Sequence, residues 1–112
     1  MIIVISAQNP QMDSLIERRF GRAPWFIKVD TETSKWQALA NPGASQSGGA
    51  GVAAAQFAID QKVDAVISGD FGPNAANVFR AANTSMHLFT SESETVKQTV
   101  IDFQQGKLPL MP

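Results

Sequence analysis

Arg19 and Arg22 flank the pair Phe20-Gly21. Two guanidinium groups held beside a glycine turn can clamp an oxyanion through paired hydrogen bonds. A solvated pair of surface arginines has the same appearance in sequence. Farther along, Gly48-Gly49-Ala50-Gly51 precedes an alanine-rich stretch. Glycines at a helix entrance let backbone approach a ligand closely, and the unpaired amides of the first turn favour an anion. The competing use is purely steric, a tight entry into the helix. A third glycine-bearing segment, Gly69-Asp70-Phe71-Gly72-Pro73-Asn74, completes the set. Asn41 and Asn74 suit turns and caps, and their amides can also orient a ligand.

Other chemistries find less support. The series Gly49-x-Gly51-x-x-Ala54 superficially matches a dinucleotide fingerprint, which belongs directly after the first strand of a βαβ unit. Here it follows a long loop, and the Gly-Lys-Ser/Thr of a triphosphate-binding loop is missing. Asp70 can ligate a hard cation or serve as a base, with a loop turn as the alternative. His87, the one histidine, lies in an apolar segment, where a neutral ring bonded to its neighbours is the simpler use. The chain has no cysteine, so neither disulfides nor thiolate-held clusters are available to it. Met12 is the methionine that falls in a candidate loop, and packing is its ordinary role. Ser47 and Ser91 lack the neighbours of a nucleophile elbow and read as caps.

The elements that must position these residues follow from patterning. Ile2 to Ile5 is a β-branched apolar run, as in a central strand buried on both faces. Ser6 to Arg22 is a loop in which Met12 to Arg18 forms at most a helical turn. Trp25–Val29 and Lys35–Leu39 form an antiparallel hairpin about the polar stretch Asp30 to Ser34. After Asn41-Pro42-Gly43 comes a small-residue loop, then a helix over about Val52 to Gln61. Val63 to Ser68 is a strand. A helix starting at Pro73 runs to about Asn83, and Met86 to Phe89 is a short strand. Ser91 and Glu94 predict a capping box before the apolar stripe Val96, Val100 and Phe103, with Gly106 as the stop. The tail Leu108 to Pro112 is expected to be loosely held.

This order predicts a three-layer α/β domain with a mixed five-stranded sheet and one antiparallel strand, a ribonuclease H-like arrangement. Metal-dependent nucleases of that fold need clustered carboxylates, one of them on the first strand, and Ile2 to Ser6 carries none. In such a sheet, loops at the carboxyl ends of parallel strands gather on one edge. The candidates are 6–22, 69–74 and Thr90-Ser91, and the 41–51 loop can reach the same edge. The 112 residues, 44% of them hydrophobic and 17% charged, fit one globular domain, 1–112. No apolar run is long enough to cross a bilayer, and Met1 to Ile5 reads as a strand and not a leader, so the cytoplasm is the default location. A net charge of -1 without a basic run argues against general nucleic-acid or membrane-surface binding.

Taken together, Phe20-Gly21-Arg22-Ala23-Pro24-Trp25-Phe26, Asn41-Pro42-Gly43, Gly48-Gly49-Ala50-Gly51 and Gly69-Asp70-Phe71-Gly72-Pro73-Asn74-Ala75 resemble the dinitrogenase iron-molybdenum cofactor biosynthesis family, of the NifX/NifB C-terminal type. The resemblance spans almost the whole chain. It implies a ribonuclease H-like domain that binds or shuttles iron-sulfur or molybdenum-containing clusters during cofactor assembly, with assembly proteins as partners. It also implies that Arg19, Phe20, Gly21 and Arg22, with Gly48, Gly49, Gly51, Gly72, Pro73 and Asn74, line the cofactor-facing edge. Where some relatives place histidine before the Phe-Gly pair this chain has Arg19, and it lacks the cysteine that others use. An anionic cluster would then be held without covalent ligands, by backbone amides and arginines.

The leading expectation is therefore a non-enzymatic carrier of an anionic metal-sulfur cluster. An enzyme processing phosphoryl groups or nucleotides through Asp70 and a divalent cation is one alternative. An interaction module docking through Trp25, Phe26 or Trp36 is the other.

Overall fold

The computed structural model describes residues 1–111. Its elements are β1 (Ile2–Ala7), β2 (Trp25–Asp30), β3 (Trp36–Ala40), α1 (Ala50–Asp60), β4 (Ala65–Ser68), α2 (Gly72–Ala81), β5 (Ser85–Leu88) and α3 (Val96–Gln104). The five strands form one sheet in the order β3-β2-β1-β4-β5. β2 runs antiparallel to both neighbours, while β1, β4 and β5 are mutually parallel. The expected mixed sheet with a single reversed strand is what the chain forms.

β1 is central and buried on both sides, which is why it is apolar without alternation. Val4 faces one cluster, with Phe20, Phe26, Val66, Phe79 and the alanines of α1. Ile3 and Ile5 face the other, with Ile16, Ile27, Ile67, Phe89 and Val96 of α3. Helices α1 and α2 thus cover one face. The first loop and α3 cover the opposite one. The small side chains Ala54, Ala55 and Ala58 are fully buried and let α1 lie close to the sheet.

Segment 12–18 is not helical; its backbone serves α3 instead. The Val96 and Lys97 amides, unpaired within their own helix, donate to the Ser14 and Met12 carbonyls at 3.0 and 2.8 Å. This arrangement shifts the cap. Thr95, in extended backbone, is the N-cap, and its hydroxyl accepts from the Gln98 amide. Ser91 and Glu94 form no capping box: Ser91 is an exposed turn residue and the Glu94 carbonyl accepts from Ile16. At the far end Gly106 closes α3 as expected, with paired bonds from Gly106 to Phe103 and from Lys107 to Asp102.

The tail departs from expectation through Met111. Leu108 is buried, Leu88 donates to the Pro109 carbonyl, and Met111 donates to that of Met86, each at 2.8 Å. The outer edge of β5 has free backbone groups, and the tail satisfies them. Pro112 lies outside the described residues.

Candidate anion-binding cleft

Four segments meet above the carboxyl ends of β1 and β4, and backbone contacts fix them. Ser6 is the last residue but one of β1 and Ser68 ends β4; both are fully buried, with their hydroxyl oxygens 2.7 Å apart. Ser6 Oγ donates to the Glu17 carbonyl at 2.6 Å, which draws the returning first loop onto the sheet. The Gly69 and Asp70 amides both donate to the Arg18 carbonyl, and Phe20 donates back to the Asp70 carbonyl at 2.9 Å. A side chain at Gly69 would collide with Arg18 at 2.9 Å, so the approach requires glycine.

Phe20 secures this loop from below. Its ring is fully buried against Phe26, Phe71 and Phe79, with centroids 4.9, 5.2 and 5.3 Å away. Its contribution to the edge is therefore main chain. Buried Asn41 ties in the third segment. Its Nδ2 donates to the Gly21 and Ala23 carbonyls at 3.1 and 2.8 Å, and its Oδ1 accepts from the Gly43 amide at 2.9 Å. Gly21 then lies directly on α1, where an added Cβ would sit 3.1 Å from the Gly51 backbone.

The result is an open cleft of about 320 Å³ lined by Arg19 to Arg22, by Ala50 and Gly51, and by Asp70 to Ala75. It brings together Arg19, Phe20, Gly21, Arg22, Gly51, Gly72, Pro73 and Asn74. The first turns of α1 and α2 both open onto it, and initial helix amides have no acceptor within their own helix; in α2, Pro73 has no amide and that of Gly72 donates to Asp70, which leaves Asn74 as the first-turn donor. Gly48 and Gly49 fall outside the lining. Gly49 acts at the entry to α1, in left-handed backbone with φ 72°. Thr90 and Ser91 do not reach the cleft either. Their turn is held by Arg18, whose guanidinium donates to the Thr90 and Ser93 carbonyls at 3.3 and 3.4 Å.

Both cleft arginines are exposed. Arg19 Nε lies 3.4 Å from a Glu17 carboxylate oxygen, and Arg22 donates to the Gln46 carbonyl at 2.6 Å. Burial pushes the Glu17 carboxyl up, but the amide and guanidinium of Arg19 and the Arg18 amide together hold it below its ordinary value. Asp70 brings a negative charge to the rim, with Oδ1 accepting from the Gly72 amide at 3.0 Å in an Asx turn. Among the described residues, no three His, Asp or Glu side chains cluster where they could hold a metal ion. His87 stays apart on β5, its ring edge-on to Phe103 and its Nδ1 buried without a partner among the described residues.

Arg18, Ser6 and Ser68 were not legible as site-building residues. The one hint was a hydroxyl closing each of two apolar strands. No helix among the described residues is long and apolar enough to cross a membrane.

The chain is similar to the orange protein from Desulfovibrio gigas, solved in its apo form, with 32% identity and a TM-score of 0.92 over 98% of this chain and 92% of that one. It is also similar to a putative NifB protein from Thermotoga, at 27% identity and a TM-score of 0.83 over 97% and 91% of the two chains. A putative dinitrogenase from Methanocaldococcus jannaschii shares the fold at 16% identity, with a TM-score of 0.66 over 99% and 94%. No curated protein matches the sequence. The family model described as dinitrogenase iron-molybdenum cofactor matches residues 1–106, and the chain belongs to that family.

Proposed function

We propose that this protein is a non-enzymatic carrier of an anionic metal-sulfur cluster, iron-sulfur or molybdenum-containing, that hands its cargo to cofactor-assembly proteins. The observation that carries this reading is the convergence of Arg19, Arg22 and the first turns of α1 and α2 on one cleft. Guanidinium and backbone N–H groups donate without needing to ionise or ligate, which suits a sulfide-rich anion held by outer-sphere contacts. The donor set fits such cargo. A chain with no cysteine has no thiolate to offer a metal, and Asp70, the carboxylate of the lining, is already engaged in its turn. Membership in the family and the likeness to the orange protein and the putative NifB protein support the same reading. The strand order with β2 alone reversed supports a ribonuclease H-like description of the fold, and a cytoplasmic location goes with such assembly work.

The test is retention of colour. Purified protein incubated with tetrathiomolybdate or a preassembled iron-sulfur cluster should carry visible absorption through gel filtration. Replacing both Arg19 and Arg22 with alanine should reduce retention at least ~10-fold, since each charge-assisted hydrogen bond contributes about 1.5–3 kcal/mol. Absence of retention by the unaltered protein with either probe would overturn the proposal.

A further inference from the structure

The tail covers the outer edge of β5, whereas among the described residues β3 pairs only with β2 and its other edge is open. The hydrogen-bond phase of that edge is fixed at both ends. Asp30 donates to the Lys35 carbonyl at 2.9 Å and Asn41 to that of Pro24 at 3.1 Å. With the β2–β3 register Lys28↔Gln37 and Phe26↔Leu39, Gln37 and Leu39 turn their backbone groups inward. Trp36, Ala38 and Ala40 turn theirs outward. The outward series is bracketed by Ser34, in left-handed backbone at φ 64°, and by Pro42, which has no amide to give.

Those brackets are equidistant from Ala38, so the edge is its own complement. We propose that the chain self-associates by antiparallel pairing of β3 with β3 of a second copy, on a two-fold axis through Ala38, joining two sheets into one. In this register Ala38 faces itself, Trp36 faces Ala40 of the other copy, and Ser34 faces Pro42. A shift either way brings Pro42 or the turn at Ser34 into the ladder.

The side chains agree with the backbone. Trp36, Ala38 and Ala40 share one face, beside Val29, Ile27 and Trp25 of β2. Trp36 is 47% exposed, and pairing would lay it over a small alanine next to the other copy's Trp25. Strand 36–40 contains no charged residue, and Lys35 falls opposite Asn41, so no like charges meet across the axis. The usual edge protections, an internal proline or an inward lysine, are missing from β3. A five-residue edge is small for an interface, below roughly 1,200 Å², so the dimer is weak and forms at high concentration. This inference does not depend on what the cleft binds.

A chain without cysteine allows a clean test by single-cysteine variants of the full protein. Under mild oxidation Ala38→Cys should form a disulfide dimer about tenfold faster than Gln37→Cys or Ala40→Cys, since only residue 38 meets its own copy within disulfide reach. Sedimentation should show concentration-dependent dimerisation of the unaltered chain. Ala38→Pro, which removes an outward amide and leaves the β2 ladder intact, should abolish it; the cysteine comparison stands even if that variant does not fold. Equal crosslinking at the three positions, or a monomer persisting to millimolar concentration, would overturn the proposal. So would capture of an extended peptide on β3 by a protein that stays monomeric.

Discussion

Gly43 and Gly48 belong to the same loop, yet their surroundings are opposites. A Cβ on Gly43 would lie 2.5 Å from the Ala50 carbonyl oxygen and 3.2 Å from the Ala54 amide nitrogen, whereas one on Gly48 would meet nothing within 4 Å. The first is part of a wall in which main chains touch directly, as they also do at Gly21 on Gly51 and Gly69 on Arg18. The second belongs to an exposed rim that the bond from Arg22 to the Gln46 carbonyl ties to the cleft. The difference teaches where preorganisation resides. Main chain on the wall is fixed before any ligand arrives, while the exposed rim has room to rearrange around one.

Gly43→Ala should break the wall most severely, because the obstructing atom is a backbone oxygen that no rotamer change can move. A loss of about 3 kcal/mol is expected from chemical denaturation. Gly48→Ala, by contrast, should leave stability within about 0.5 kcal/mol of the parent. Comparable losses for the two variants would erase the distinction between wall and rim.

Asn41→Ala should come next, at about 2 kcal/mol. It strands the Gly43 amide and two carbonyls in a buried place while leaving the ring of Phe20 in the core. The measurement that sharpens the comparison is hydrogen exchange. Protection should fall at Gly43 and around Gly21, with little change at 46–48, and uniform loss across the loop would contradict the assignment.

The smallest effect concerns pH. The Glu17 carboxyl is depressed in the folded state, so its contribution to stability is complete above the ordinary carboxylate value and is lost as pH falls through the folded-state value. Denaturation midpoints of the parent and Glu17→Gln should therefore differ at neutral pH and converge in acid. A gap that persists below both values would mean that Glu17 acts by packing and not by charge.

Much of this was legible along the chain because it depends on local chemistry. The apolar run at Ile2 to Ile5, the Asp30 to Ser34 turn, the alanine face of α1 and the Gly106 stop each depend on residues within a few positions, and each forms near its expected place. The α3 cap lies away from the Ser91-to-Glu94 pattern, and its first amides are satisfied by Ser14 and Met12, about eighty residues earlier in the chain. The tail differs from its local pattern for the same reason, since its partner is the edge of β5.

Residue types alone determined a mixed α/β sheet, a chain without thiolate chemistry, and glycine and arginine in segments suited to anions. Tertiary structure decided which of those segments meet: Gly51 and Asn74 line the cleft, Gly48 and Gly49 do not, and Phe20 belongs to the core. Composition sets what each group can donate, but a pocket exists only where distant backbones approach within contact distance. That approach is set by packing on the two faces of the sheet, through Asn41, Ser6 and Ser68, whose partners no local pattern reveals.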